Sequence, residues 1–147
     1  MRCVDIGCGG GAVTLEIARL IAPDGVVVGV DMDEVKVSLA RWSAAEAGLD
    51  NAEFRVLDVT DWDEPGSYDA VYSRFLFQHL REPAALIDRM WAAVRDGGVL
   101  IAEGADFDGW CGWSSRCTRA RPGCWRGQRW KRPPPPSLRK KSRPRTR

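Results

Sequence analysis

The chain has 147 residues, 44% of them hydrophobic and 29% charged, enough for one domain with a core of its own and too few for two of ordinary size. Its formal charge of +2 conceals two opposed parts: residues 1–109 hold nine Lys/Arg against twenty Asp/Glu, and residues 110–147 hold thirteen Lys/Arg and no acid. The acidic part repels nucleic-acid backbones, no apolar run reaches the ~20 residues of a membrane span, and the amino terminus lacks the apolar core of a secretory signal, so this part is read as soluble and cytoplasmic.

Residues 3–6, CVDI, read as a short buried strand. The run AVTLEIARLIA at 12–22 places Val13, Ile17, Leu20 and Ile21 on one helical face, and Pro-Asp-Gly at 23–25 ends it. VVVGVD at 26–31 is apolar throughout, as in a strand covered on both faces. Residues 33–48 predict a second helix, with acids at its start and Gly48 past its end. A third strand, AEFRVLD, spans 52–58, and a fourth, YDAVYSR, spans 68–74 after the turn DEPGS. Residues 83–98 predict a third helix with Pro in its first turn and glycines at its close, followed by the strand GGVLIAEG at 97–104. Trp42 and Trp91 fall on helix faces and read as core or half-buried residues. The alternation predicts an α/β, Rossmann-like open sheet of about five mainly parallel strands with helices on both faces. The five cysteines show no CxxC pairing and there is a single histidine, so no metal site is expected.

DIGCGGGAV at 5–13 joins the first strand to the first helix, where sheets of this class bind ligands. Gly7 permits a tight turn, Gly9 lets a ligand approach the backbone, and Gly11 or Ala12 allows close helix packing. Backbone N–H groups at the helix start favour an anionic group. Gly7, Gly9 and Ala12 also satisfy a dinucleotide fingerprint, and Asp31, 22 residues after Gly9, suits a ribose diol in either case. Asp5 separates the two readings: its charge opposes a pyrophosphate and favours an ammonium or sulfonium group. Asp58, at the end of the third strand, offers an acceptor for an adenine amino group. Three acids at successive strand ends suit a cationic adenosyl ligand.

In order and spacing, VDIGCGGG, VVGVDMDE, LDVTD, YDAVYSRFLFQHL and RDGGVLIAE, which cover roughly residues 2–106, resemble the five motifs of the class I S-adenosylmethionine-dependent methyltransferases. The resemblance implies strand order 3-2-1-4-5, S-adenosyl-L-methionine as cofactor, and methyl transfer as the activity. It implies that Gly7, Gly9 and Gly11 line the methionine portion, with Asp5 near its amino group. Asp31 would bind the ribose hydroxyls, and Met32 would pack on the adenine. Asp58 would accept from the adenine amino group, with the backbone N–H of Val59 on the ring, while Arg74 and Phe75 border the methionine end. FLFQHLREP resembles the version of the fourth motif found in enzymes acting on small molecules, so a small-molecule acceptor is expected.

Transfer from a sulfonium is an in-line displacement that requires alignment above all. Where the acceptor needs a general base, His79, Glu103 and Asp106 are the candidates by position. His79 also reads as a packed or hydrogen-bonded loop residue, and Asp31 and Asp58 as caps of the turns that follow them. An NAD-type oxidoreductase fragment and a non-catalytic adenosyl-binding or regulatory module stand as alternatives.

Members of the family carry helices ahead of the first motif and a two-stranded hairpin after the fifth strand. Here two residues precede the first strand, and the chain reads as a partial domain, residues 1–109, truncated at both ends and lacking that hairpin. The fifth strand is then expected to be an uncovered edge, open to self-association. Residues 110–147, with four of the seven tryptophans and a run of four prolines, read as a low-complexity basic tail that does not continue the sheet. Three readings of it stand side by side: translation in a shifted frame, a disordered basic tail, and a weak nucleic-acid tether.

Overall fold

The structure is a computed structural model that describes residues 1–104 and 128–131. The apolar runs form β1 (Arg2–Ile6), β2 (Val26–Asp31), β3 (Ala52–Val56), β4 (Tyr68–Arg74) and β5 (Val94–Glu103). These five are parallel, in the spatial order β3-β2-β1-β4-β5. In register, Asp5 of β1 lies between Gly29 of β2 and Tyr72 of β4.

Because successive side chains alternate between faces, β1 sends Val4 and Ile6 one way and Cys3 and Asp5 the other. Val4, Ile6, Val28, Val30, Val71 and Leu100 meet Leu86, Met90 and Ala93 of α3 (Pro83–Ala93) in the larger core. On the opposite face, Cys3 and Val27 pack with Ala18 of α1 (Ala12–Ile21), and Phe54 packs with Val37, Ala40 and Ala44 of α2 (Glu34–Glu46). Asp33 caps α2, its Oδ1 accepting from the backbone N–H groups of Val35 and Lys36 at 3.0 and 3.2 Å. No helix among the described residues is long and apolar enough to cross a membrane.

Several elements depart from expectation. Helix α1 buries Thr14, Leu15 and Ala18, whereas Leu20 is 83% exposed. Its rotation follows the small side chains of Thr14 and Ala18, which let the helix approach the sheet, instead of its most apolar stripe. In α2 the buried stripe is Val37, Ala40 and Ala44, which leaves Trp42 on the far side and 61% exposed. Trp91 is half-buried against the larger core. Strand β3 ends at Val56, so Asp58 sits in the loop beyond it, and α3 ends at Ala93 because the chain enters β5 directly at Val94.

The largest correction concerns residues 128–131, inside the run expected not to continue the sheet. Gln128–Lys131 form β6, antiparallel to β5, with Val99 opposite Lys131 and Ala102 opposite Gln128. The edge of β5 presents unpaired backbone N–H and C=O groups, and a returning segment that pairs with them satisfies both strands. The expected open edge at β5 is therefore occupied, and the sheet ends at β3 and β6.

One polar residue ties the start of the sheet together. Asn51 Nδ2 donates to the carbonyls of Ala18 (2.9 Å) and Gly25 (3.0 Å), joining the end of α1 to the approach to β2. Asn51→Ala removes the donor and leaves two partly buried carbonyls without it. The expected loss is roughly 1–3 kcal/mol of unfolding free energy, read from urea denaturation at unchanged slope; no shift in midpoint would show that water replaces the amide without cost.

Candidate functional site

The strand order reverses between β1 and β4, and there the carboxyl edge of the sheet opens into a cavity of about 170 Å³. Asp5 of β1 is one of the residues that line it. The loop after β1 contributes Gly7, Cys8 and Gly10, the first turn of α1 contributes Ala12 and Val13, and the end of β4 contributes Tyr72, Arg74 and Phe75. The volume is below the ~300–1,000 Å³ typical of small-molecule sites.

Asp5 is 2% exposed. Its Oδ2 accepts a 2.6 Å hydrogen bond from Thr14 Oγ1, itself fully buried. Among the described residues it forms no ion pair. Burial pushes the Asp5 carboxyl up to about 6, against the lowering effects of the Thr14 hydrogen bond and the Arg74 charge, with Asp31 adding repulsion. The neighbouring Cys8 thiol is pushed up to about 12 by burial first and then by the Asp5 and Asp31 carboxylates, so it stays protonated and is no nucleophile at neutral pH.

The loop itself is held from within. Gly7 and Cys8 donate their backbone N–H groups to Val30 O at 2.8 and 3.0 Å, and Gly11 donates to Cys8 O at 3.0 Å. Gly9 N–H donates to Asp31 Oδ2 at 2.8 Å, while Asp31 Oδ1 accepts from Asp33 N–H at 3.0 Å. Four N–H groups of the loop, those of Gly7, Cys8, Gly9 and Gly11, are thus used inside the protein. The first turn of α1 is different: no side chain caps it, and Ala12 and Val13 border the cavity.

Around this centre, Asp58 Oδ1 accepts from the N–H and the hydroxyl of Thr60, both at 2.8 Å, and those bonds hold its carboxyl below the usual range. Val59 is buried in the larger core, and Met32 is 70% exposed. Arg74 places its guanidinium 5.2 Å from the centre of the Phe75 ring, and Phe75 has a positive φ of 55°. Glu103 ends β5, in register with Arg74; burial first and then the Glu103 carboxylate push the Tyr72 phenol up to about 12. His79 lies on the exposed 3₁₀ turn Phe77–His79, its Nε2 3.2 Å from Gln78 Nε2, and is not among the residues lining the cavity. Asp106 lies outside the described residues.

Residues 1–141 match the family described as "Methyltransferase domain". The chain belongs to the class I S-adenosylmethionine-dependent methyltransferase family. Over 102 residues this methyltransferase domain is 30% identical to a ubiquinone biosynthesis O-methyltransferase of Acinetobacter baumannii, covering 68% of the chain and 42% of that relative. It is 34% identical to the protein of the same name from Xanthomonas euvesicatoria, covering 68% and 41%. The chain thus spans less than half the length of these relatives. Among solved structures, it is similar to a phosphoethanolamine N-methyltransferase 2 of Haemonchus contortus in complex with S-adenosyl-L-methionine (27% identity, TM-score 0.64, covering 69% and 24%). It is also similar to the [4+2]-cyclase SpnF (26%, TM-score 0.63, covering 69% and 37%).

Of the residues expected at the site of this methyltransferase domain, the structure gathers Asp5, Gly7, Arg74 and Phe75 around one cavity. Asp31 and Gly9, joined by their mutual hydrogen bond, are not among the residues lining it. Tyr72 and Thr14 were not anticipated. Tyr72 was within reach of strand periodicity, since it shares the face of Arg74 and is in register with Asp5. Thr14 carried no comparable signal, because a hydroxyl inside an apolar helical run reads as a neutral substitution until its partner is known.

Proposed function

We propose that the cavity receives the amino-acid end of S-adenosyl-L-methionine, and that the domain supports methyl transfer to a small-molecule acceptor in an intracellular setting. The observation carrying this reading is a buried Asp5 carboxylate, without an ion pair among the described residues, beside the uncapped first turn of α1. An α-amino acid presents an ammonium and a carboxylate on one carbon. Asp5 complements the first by charge, and the N–H groups of the helix start complement the second. The same buried charge disfavours a dinucleotide, whose pyrophosphate would meet it across a few ångströms of low-dielectric space.

In this reading the nucleoside end runs along the carboxyl edge, over Gly9, to the Asp31 carboxylate, which retains unused lone pairs after its two backbone bonds. Met32 flanks the adenine, and Asp58, whose Oδ2 is not used in its turn, accepts from the adenine amino group, beside Val59. When bound, the cofactor supplies an electrophilic methyl group on sulfur. The protein aligns the acceptor and excludes water, and Tyr72, beside Arg74 and Phe75, orients the acceptor, with Glu103, in register with Arg74, as the group that takes its proton. His79, exposed on its turn, is the weaker candidate for that role.

Calorimetric titration with S-adenosylhomocysteine tests the reading. Saturable binding is expected, weakened at least tenfold in Asp31→Ala (a loss of ~1.4 kcal/mol or more) and not displaced by NAD. Displacement by NAD would instead support a dinucleotide site. Because one similar structure bears the name of a cyclase, methyl transfer itself is then read with labelled cofactor and phenolic or amine acceptors; binding without transfer to any of them would favour a non-catalytic adenosyl-binding module.

A further inference from the structure

We propose that Thr14 is a positioning residue that fixes the Asp5 carboxylate for a ligand ammonium and sets the pH above which the site binds. This inference rests on the reading of the cavity as the place of an adenosyl amino acid. Thr14 is the third residue of α1 and fully buried, with Leu15 and Ala18 as the other buried residues of that helix. Packing alone does not call for a hydroxyl there. Its one side-chain hydrogen bond runs to Asp5 Oδ2 at 2.6 Å, in the short range of bonds to an ionised acceptor. The bond fixes the carboxylate plane and leaves Oδ1 without a side-chain partner among the described residues, in a residue that lines the cavity.

The surroundings of Asp5 make this single bond consequential. From β4 it faces Tyr72 and the exposed Arg74, from β2 Asp31, from the glycine loop the protonated Cys8, and from α1 only Thr14 and the helix start. Arg74 attracts from a solvated position, and Asp31 repels. Thr14 is the close, dry group that favours the ionised form, and burial opposes it. With the carboxyl at about 6, ligand affinity depends on pH in the following sense. Below that value the neutral acid has no charge to offer an ammonium, and above it the carboxylate does, so affinity rises with pH and levels off past neutrality.

The test is calorimetry with S-adenosylhomocysteine on the full chain at about pH 5, 6.5 and 8, for the parent protein and for Thr14→Val, Thr14→Ala, Thr14→Ser and Asp5→Asn. The parent is expected to bind about tenfold more weakly at pH 5 than at pH 8. Loss of the hydroxyl raises the midpoint by about one pH unit, so Thr14→Val and Thr14→Ala bind about threefold more weakly than the parent at pH 6.5 and within about twofold at pH 8. Thr14→Ser follows the parent, and Asp5→Asn is flat across the range. A deficit in the hydroxyl-free variants that is equal at all three pH values would show a merely structural role and overturn the proposal. So would unchanged binding in a hydroxyl-free variant, with Thr14→Ala serving should the β-branched variant fail to fold. No binding by the folded parent at any pH would overturn the underlying reading of the site, and this inference with it.

Discussion

Asp5→Asn is expected to make the unliganded protein more stable and the site less able to bind. The carboxyl is 2% exposed, forms no ion pair among the described residues, and has its proton held more tightly in the folded protein (about 6) than at the ordinary value of 3.8. Ionisation therefore opposes folding. The deficit is absent below about pH 4, grows as pH rises to about 6 and is constant above that, at about 3 kcal/mol in magnitude. Asparagine keeps the size and the partnership with Thr14 but carries no charge. At pH 7 a rise in melting temperature of roughly 8 °C or more is expected, shrinking towards zero near pH 4, together with at least tenfold weaker binding of S-adenosylhomocysteine. Differential scanning calorimetry at the two pH values decides it. An unchanged or lower melting temperature at neutral pH would show that the buried charge is compensated in the empty site.

The second large effect separates two glycines of the same loop. Gly11 has φ +81°, and a Cβ there would lie 2.8 Å from the Ala40 Cβ and 3.0 and 3.1 Å from Phe54 ring atoms. An alanine must adopt a left-handed backbone at ~1–2 kcal/mol and also push apart the contact between α1, α2 and β3, at ~1–3 kcal/mol. Gly11→Ala is thus expected to lose roughly 2–5 kcal/mol in urea unfolding. Gly9 has φ +54° and nothing within 4 Å of the same position. Gly9→Ala is expected to cost only the conformational part, ~1–2 kcal/mol, and to act on ligand affinity, because the open space above it is where the proposed ligand crosses the loop. The reverse ranking, with Gly9→Ala the more destabilising, would count against this division of labour.

These two glycines also show how far the sequence carried. The loop and the five parallel strands were legible because apolar runs of strand and helix length alternate, and the strand order followed from the family resemblance carried by several motifs in sequence. Asp5 stood out, since a charged residue inside an apolar strand demands a reason. What escaped notice depended on contacts between distant segments. Amphipathic periodicity weighs Leu20 above Ala18 in α1, whereas the sheet selects the side chain that lets the helix come close. Trp42 falls on a helix face and reads as core or half-buried, but the stripe Val37–Ala40–Ala44 leaves it outside. Strand β6 was missed because its composition is basic and its pairing is a property of the β5 edge, which a local pattern does not express. Tyr72 and Thr14 gained meaning only from the residues opposite them.

The Asp31 carboxylate has a consequence for the speed of association. One oxygen holds Gly9 and the other holds Asp33, so a single side chain staples the glycine loop to the segment that opens α2 before any ligand arrives. The ordering entropy of that loop is lost during folding instead of during binding. Encounter with a ligand then needs no slow closing of the loop. Its rate is governed by diffusion and orientation, and differences in affinity among ligands are carried by how long each one stays.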